Sequence, residues 1–295
     1  MSIVLVAHTA LGSLVERIGN ALPVDGLYYP TGSSQPRDRS MPVYSNLTAM
    51  LEETGATTCA FLSPYQGMHR DVVTCLESGR DTLCSGPVPQ LGEQTVVQIN
   101  TTSDARLLTD GAHRFSPLFI KALEQRRNPS FAKAVYLRLV SGGQGPGQLS
   151  AWWNAHGQLA FATDLLGETV SELHISACHR GRAYQITLTA ATASGTSIQL
   201  TTAPQHSLSE MTLLGQGGVI TASAAQSGIA IAGGQGTLNM PDVLAPAEIA
   251  WIQGFKKNIE PPAPLNGSSC IPASQRLLRG LRQALREGRP ISLTP

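Results

Sequence analysis

The sequence predicts an α/β protein with an N-terminal doubly wound parallel sheet, followed by an α+β domain with a helix-flanked, mostly antiparallel sheet. Two observations carry this. Over roughly the first hundred residues, short apolar runs alternate with helical periodicities, the pattern of a parallel sheet covered on both faces. From Val170 to Leu238 the pattern changes to strands rich in Thr, Ile, Leu and Val, broken by glycine-containing turns. The chain has 295 residues, enough for two buried cores. The boundary is expected near Asp110–Arg114, giving domains of residues 1–112 and 113–295.

Taken in order, Ile3–Ala7 is apolar throughout and reads as a buried parallel strand. Leu11–Leu22 places Leu14, Val15, Ile18 and Leu22 at helical spacing. Leu27–Tyr29 is a second strand, ended by Pro30, and Thr31–Met41 is a polar loop. Leu47–Glu53 is helical, Thr58–Leu62 a strand, His69–Ser78 a helix stopped by Gly79, and Asp81–Cys84 a short strand. Beyond the boundary, Ser116–Arg126 is an amphipathic helix and Ala132–Val140 a strand. Gly142–Gly147 is a glycine-rich loop, and Trp153–Leu166 a helix stopped by Gly167. Ala247–Asn258 is helical, Glu260–Pro264 a proline-rich linker, and Ser274–Arg286 a basic terminal helix that can pack back on the first domain.

Composition excludes several classes. Net charge is +1 and no basic run exceeds Lys256-Lys257, so no nucleic-acid footprint is indicated. The five cysteines form no CxxC pair and no zinc spacing with histidine, which predicts reduced thiols and no metal site. No apolar stretch reaches the roughly 18 residues of a membrane helix. Met1–Ala7 is too short for a signal-peptide core and lacks a basic start. A soluble, cytoplasmic protein is expected.

Candidate site residues lie where an open α/β sheet places ligands, beyond the carboxyl ends of its strands. A dinucleotide fold needs G-x-G-x-x-G after the first strand, for a tight turn, close approach to the pyrophosphate, and packing. Here the six positions are Ala7-His8-Thr9-Ala10-Leu11-Gly12. Gly12, the packing glycine, remains, and Thr9 offers a hydroxyl donor to an anion at the helix start. The second strand ends without the acid that holds a ribose diol. Ser33, Ser34 and Arg37 are candidates for a 2′-phosphate, or simply a solvated loop.

Ser63, Pro64, Tyr65 and His69 follow the Thr58–Leu62 strand. A histidine at a helix start is disfavoured from protonating by the macrodipole, though capping or packing is its blander role. Asp110, His113 and Arg114 cluster where the chain leaves the first domain. Arg114 either holds an anionic substrate or forms an interdomain ion pair. Trp152 and Trp153 cannot share one side of a helix. One is therefore expected in the core, and Trp153 is the candidate substrate contact. His156 is a candidate general acid or a packed core histidine. His8, His174, His179 and His206 show no partner pattern.

Several stretches carry a resemblance. Pro42-Val43-Tyr44-Ser45-Asn46-Leu47, then Ser63-Pro64 through His69, then Leu83-Cys84-Ser85-Gly86-Pro87 follow one another at characteristic spacing. Arg114-Phe115-Ser116-Pro117, Ala162 to Val170, and the closing Leu277 to Leu293 add to them. Together these resemble the Gfo/Idh/MocA oxidoreductase family over nearly the whole chain. The resemblance implies a Rossmann domain followed by a domain with a large open mixed sheet, often used for oligomerisation. It implies hydride transfer between NAD(P) and a sugar, cyclitol or imine, with Thr9, Gly12, Ser63, Pro64, Ser85, Gly86 and Pro87 at the cofactor positions.

The departures from the family pattern are specific. Its Glu-Lys-Pro loop, whose lysine is the usual proton donor, reads Ser85-Gly86-Pro87 here. Its D-x-x-x-H pair is absent, Ala160 and Gly157 falling near those places. The expected function is therefore a non-catalytic or accessory protein that retains the oxidoreductase fold. The alternative is a divergent NAD(P)-dependent reductase of a small biosynthetic intermediate, with the acid relocated to His156, Tyr65 or His69. NAD or NADP is the cofactor in question, with the glycine fingerprint and ribose acid both missing. The expected partners are a second copy or another protein through the second-domain sheet, and a small-molecule ligand.

Overall fold

The structure, a computed structural model, describes residues 2–30, 41–88, 104–109, 111–142, 147–180, 183–203, 209–223, 228–232, 237–238, 247–257, 259 and 270–292. The candidates Ser33, Ser34, Arg37, Asp110 and His206, most of the Gly142–Gly147 loop and the proline-rich linker lie outside them.

In the first half the elements run β1 (Ile3–Val6), α1 (Gly12–Ala21), β2 (Gly26–Tyr28), β3 (Val43–Tyr44), α2 (Leu47–Thr54), β4 (Thr58–Phe61), α3 (Met68–Glu77), β5 (Asp81–Cys84) and β6 (Leu107–Thr109). The six strands pair in parallel in the order β3-β2-β1-β4-β5-β6. Every residue of β1 and β4 is buried, as a sheet covered on both faces requires. The order reverses between β1 and β4, the switch point where such sheets leave a crevice at their carboxyl ends. Local chemistry agrees with the pattern. Asn46 caps α2 by accepting from the Ala49 N–H at 2.8 Å, and Gly55 ends that helix in the left-handed conformation, φ 58°. The sequence reading passes over β3 and β6, which at two and three residues are too short to show a period.

The second half adds α4 (Pro117–Arg126), β7 (Ala134–Gly142), α5 (Gln148–Leu166), β8 (Val170–Arg180), β9 (Ala183–Thr192), β10 (Ser197–Ala203), β11 (Ser209–Gly215), β12 (Gly218–Ser223), β13 (Gly228–Ala232) and β14 (Thr237–Leu238). They are followed by α6 (Ala247–Lys256), α7 (Cys270–Glu287) and β15 (Ile291–Ser292). The sheet order is β14-β13-β12-β11-β7-β10-β9-β8-β15, antiparallel throughout except for the parallel pair β7–β10. Helix α5 packs on β7, β9 and β10, where Leu137, Leu139, Ile186, Leu188, Ile198 and Leu200 alternate as the buried face. It begins at Gln148, five residues before the expected Trp153, because Gly147 at φ 90° is the residue that breaks the chain's direction. On the other face, Thr221, Thr212, Arg138, Gln199, Thr189 and His174 lie side by side across six strands.

The chain divides into two compact units, residues 1–112 with 248–273, and residues 113–247 with 274–295. The segment 248–273 departs from the expected second block, which runs unbroken from 113 to 295. An amphipathic helix shows that it has a buried face but not which core receives it. In α6, Trp251 and Ile252 are fully buried, and the Arg106 guanidinium lies 4.1 Å from the Phe255 ring centroid. Among the described residues, no helix is long and apolar enough to cross a membrane, and no cluster of His, Cys, Asp or Glu suits a metal ion.

Candidate functional site

The carboxyl ends of β1, β4 and β5 form one edge of the first unit's sheet. After β1 the chain makes a tight turn, Thr9–Leu11, before entering α1. His8 organises this turn. Its N–H donates to Ser63 Oγ at 2.7 Å, and its imidazole Nδ1 accepts from the Ala10 N–H at 3.0 Å. Its carbonyl accepts from the Leu11 N–H at 2.9 Å. The Gly12 N–H donates to the Thr9 carbonyl. Because Ser63 is buried at the end of β4, the His8–Ser63 bond ties together two strand ends 55 residues apart.

Beyond β4, the buried Tyr65 ring stacks on Phe61, 6.5 Å between centroids, and its hydroxyl donates to Asp71 Oδ2 at 2.5 Å. Burial first, and then the Asp71 carboxylate, push the Tyr65 phenol far above its ordinary range. Burial and Asp71 also raise Tyr28, at the end of β2. His69 is the second residue of α3 and half-buried, with Asp71 in the same first turn, where the helix dipole favours a carboxylate. Beyond β5, both the N–H and the hydroxyl of Ser85 donate to the Phe61 carbonyl, at 3.0 and 3.3 Å. Gly86 and Pro87 are buried. The stretch Ser85-Gly86-Pro87 therefore presents no titratable side chain.

A second polar cluster lies within the other unit. His113 and Arg114 sit in a turn, Ala112–Phe115, and Asp164 near the end of α5. Arg114 Nε and Nη2 donate to Asp164 Oδ2 and Oδ1 at 2.7 and 3.0 Å, and His113 Nε2 lies 2.6 Å from Oδ2. Burial pushes the Asp164 carboxyl up, but the hydrogen bonds and charges of His113 and Arg114 outweigh it, and the group ends below its ordinary value. The His113 ring packs edge-on against Phe119 at 5.3 Å and against Phe161 at 5.8 Å. Arg114 thus makes an ion pair whose partner lies within its own unit rather than across the boundary.

Trp153 and His156 are three apart on α5 and both buried, at 4% and 1% exposure, while Trp152 is half-buried. Thr9 is half-buried and Gly12 opens α1. The structure thus gathers Thr9, Gly12, Ser63, Pro64, Tyr65, Ser85, Gly86 and Pro87 on one sheet edge. Three participants were missed: His8, Asp71 and Asp164. A local signal existed for His8, which stands directly before a turn and helix start as a capping residue does. Asp71 is six residues from Tyr65 and carries only a weak first-turn signal. Asp164 is fifty residues from Arg114, and only folding brings them together.

No protein-family model matches the chain, and no curated protein matches it by sequence. Solved structures do match along its full length. GenD2 from gentamicin A biosynthesis, in complex with NAD, is 13% identical, with a TM-score of 0.74 over 100% of this chain and 97% of that one. A myo-inositol dehydrogenase from Corynebacterium glutamicum is 14% identical, with a TM-score of 0.68 over 100% and 99%. An NAD-binding protein from Listeria innocua is 12% identical, with a TM-score of 0.69 over 99% and 96%. The chain shares its fold with these structures, a Rossmann-like parallel sheet followed by a large mixed sheet, the architecture that the resemblance implied.

Proposed function

We propose that this chain is a Gfo/Idh/MocA-type protein that keeps the dehydrogenase fold without its hydride chemistry, and acts as a non-catalytic or accessory protein. The observation that carries this reading is the Ser85-Gly86-Pro87 corner, in which Gly86 and Pro87 are buried. Where the family's lysine would stand there is no side chain, and the neighbouring Ser85 hydroxyl is turned back onto the Phe61 carbonyl. A positioned acid typically contributes about 10²–10⁴-fold, and the nearby substitutes serve poorly. Tyr65 is raised far from any working range, and its hydroxyl is already engaged as the donor to Asp71.

The fold implies a nicotinamide dinucleotide, and in this reading the loop after β1 does not fit its pyrophosphate. The Ala10 and Leu11 N–H groups, which open the approach to α1, are already hydrogen-bonded to His8. Supporting an accessory role, the face of the nine-stranded sheet opposite α5 presents a row of Thr, Gln, Arg and His suited to a second copy of the chain or another protein. The full-length likeness to dehydrogenases favours one alternative, a reductase of a small biosynthetic intermediate using NAD(P) and an acid relocated to His156. The two readings separate in a turnover assay with reduced and oxidised nicotinamides. The first requires no protein-dependent change in nicotinamide absorbance with sugar, cyclitol or imine substrates, and the second requires one.

A further inference from the structure

We propose that His8 is an internal stand-in for the dinucleotide's pyrophosphate, so that the cradle after β1 is closed by the chain itself. In a Rossmann crevice the pyrophosphate is held by backbone N–H groups where the first loop enters its helix, and those groups must point at the ligand. An N–H group of this turn that is already bonded within the chain is not free to point at a ligand, whether buried as at Leu11 or exposed as at Ala10. Here the acceptors are supplied from within. The Ala10 N–H is taken by the His8 imidazole at 3.0 Å, the Leu11 N–H by the His8 carbonyl at 2.9 Å, and the Gly12 N–H by the Thr9 carbonyl.

His8 is itself anchored. Its own N–H donates to the buried Ser63 Oγ at 2.7 Å, so the residue is held from one side by β4 while it caps the turn on the other. With Nδ1 accepting, the imidazole sets a compact acceptor in the place of an anion. Thr9 at the second glycine position adds a Cβ where backbone and phosphate would meet. This inference concerns binding and stands apart from the missing lysine. Turnover by the natural protein would refute the proposed function through catalysis, whereas the His8 closure is judged on cofactor affinity and on protection of the Ala10 amide.

The test is calorimetric titration of the full chain with NADH and with NADPH, comparing the natural protein, His8→Asn, and the double variant His8→Gly with Thr9→Gly. Asparagine retains a capping acceptor, and glycine removes it while restoring close backbone approach. The expected result is no saturable binding by the natural protein or His8→Asn at millimolar cofactor, and at least about a tenfold gain in the double variant. The inference is overturned if the natural protein binds either nucleotide at submillimolar concentration. It is equally overturned if a double variant with unchanged circular dichroism and melting shows no gain. If the double variant does not fold, amide hydrogen exchange of the natural protein decides. An Ala10 amide protected like those of α1 supports the closure, and one exchanging at the rate of an unstructured chain overturns it.

Discussion

Arg114 grips Asp164 through two parallel N–H···O bonds of 2.7 and 3.0 Å, and His113 adds a third contact to the same carboxylate. The side chains are only 9% and 21% exposed, so the pair is largely out of water. Truncating one partner leaves an uncompensated charge, which typically costs about 3–5 kcal/mol for a buried pair. Arg114→Ala is therefore expected to lower unfolding stability by roughly 3 kcal/mol. Arg114→Lys is expected to recover only part of this, because an ammonium lacks the planar fork. Urea denaturation checks both.

The same cluster sets a pH dependence. Asp164 titrates below its unfolded value, so its contribution is present above the ordinary carboxylate pKa of about 3.9 and is lost as pH falls through the lowered folded value. Melting temperature measured from about pH 6 down to about pH 3 should fall less steeply in Asp164→Asn than in the natural protein. The substitution lowers stability at neutral pH but removes the group whose titration causes the slope.

How much of this was legible beforehand follows from the range over which each feature acts. The strands β1, β4 and β5 and the helices between them declare themselves through local apolar periodicity, and with them the sheet edge that carries Ser63, Tyr65 and Gly86. The Arg114–Asp164 pair does not. Arg114 was visible as a charge at the domain exit, but nothing within a helical turn of it names an aspartate fifty residues later. His8 was passed over because its partners are backbone groups, which a search for side-chain constellations does not register. The assignment of 248–273 to the first unit is likewise a matter of which core a buried face meets.

Tyr65→Phe tests the edge of the first sheet. It removes the 2.5 Å hydrogen bond to Asp71 while keeping the ring on Phe61. A loss of about 1.5–3 kcal/mol is expected, the range for hydrogen bonds to charged groups. Thermal and urea unfolding should show it.

Gly217 is a packing requirement of the second sheet. Its N–H donates to the Phe131 carbonyl at 3.1 Å, and a Cβ built there would stand 1.9 Å from the Ser130 carbonyl oxygen. The obstructing atom is backbone and cannot rotate aside. Gly217→Ala is expected to cost at least the roughly 1–3 kcal/mol of an overpacked core site, read as a lowered melting temperature.

The open sheet face makes a prediction about assembly. Arg138 lies opposite Thr212 on one side and Gln199 on the other, with Thr189 next in the row. If copies meet through this face, size-exclusion chromatography with light scattering gives a dimer or larger species, and Thr212→Arg, which places a second positive charge beside Arg138, shifts it to monomer. A natural protein that is monomeric at micromolar concentration contradicts this.

The most direct measurement of the central claim is nicotinamide turnover by the natural protein beside Gly86→Lys. Both would be presented with NAD(P)⁺ and polyols, and with NAD(P)H and the corresponding keto and imine compounds. The account predicts no change in nicotinamide absorbance above buffer for the natural protein in either direction. A rate that scales with the concentration of natural protein and disappears on denaturation would contradict it.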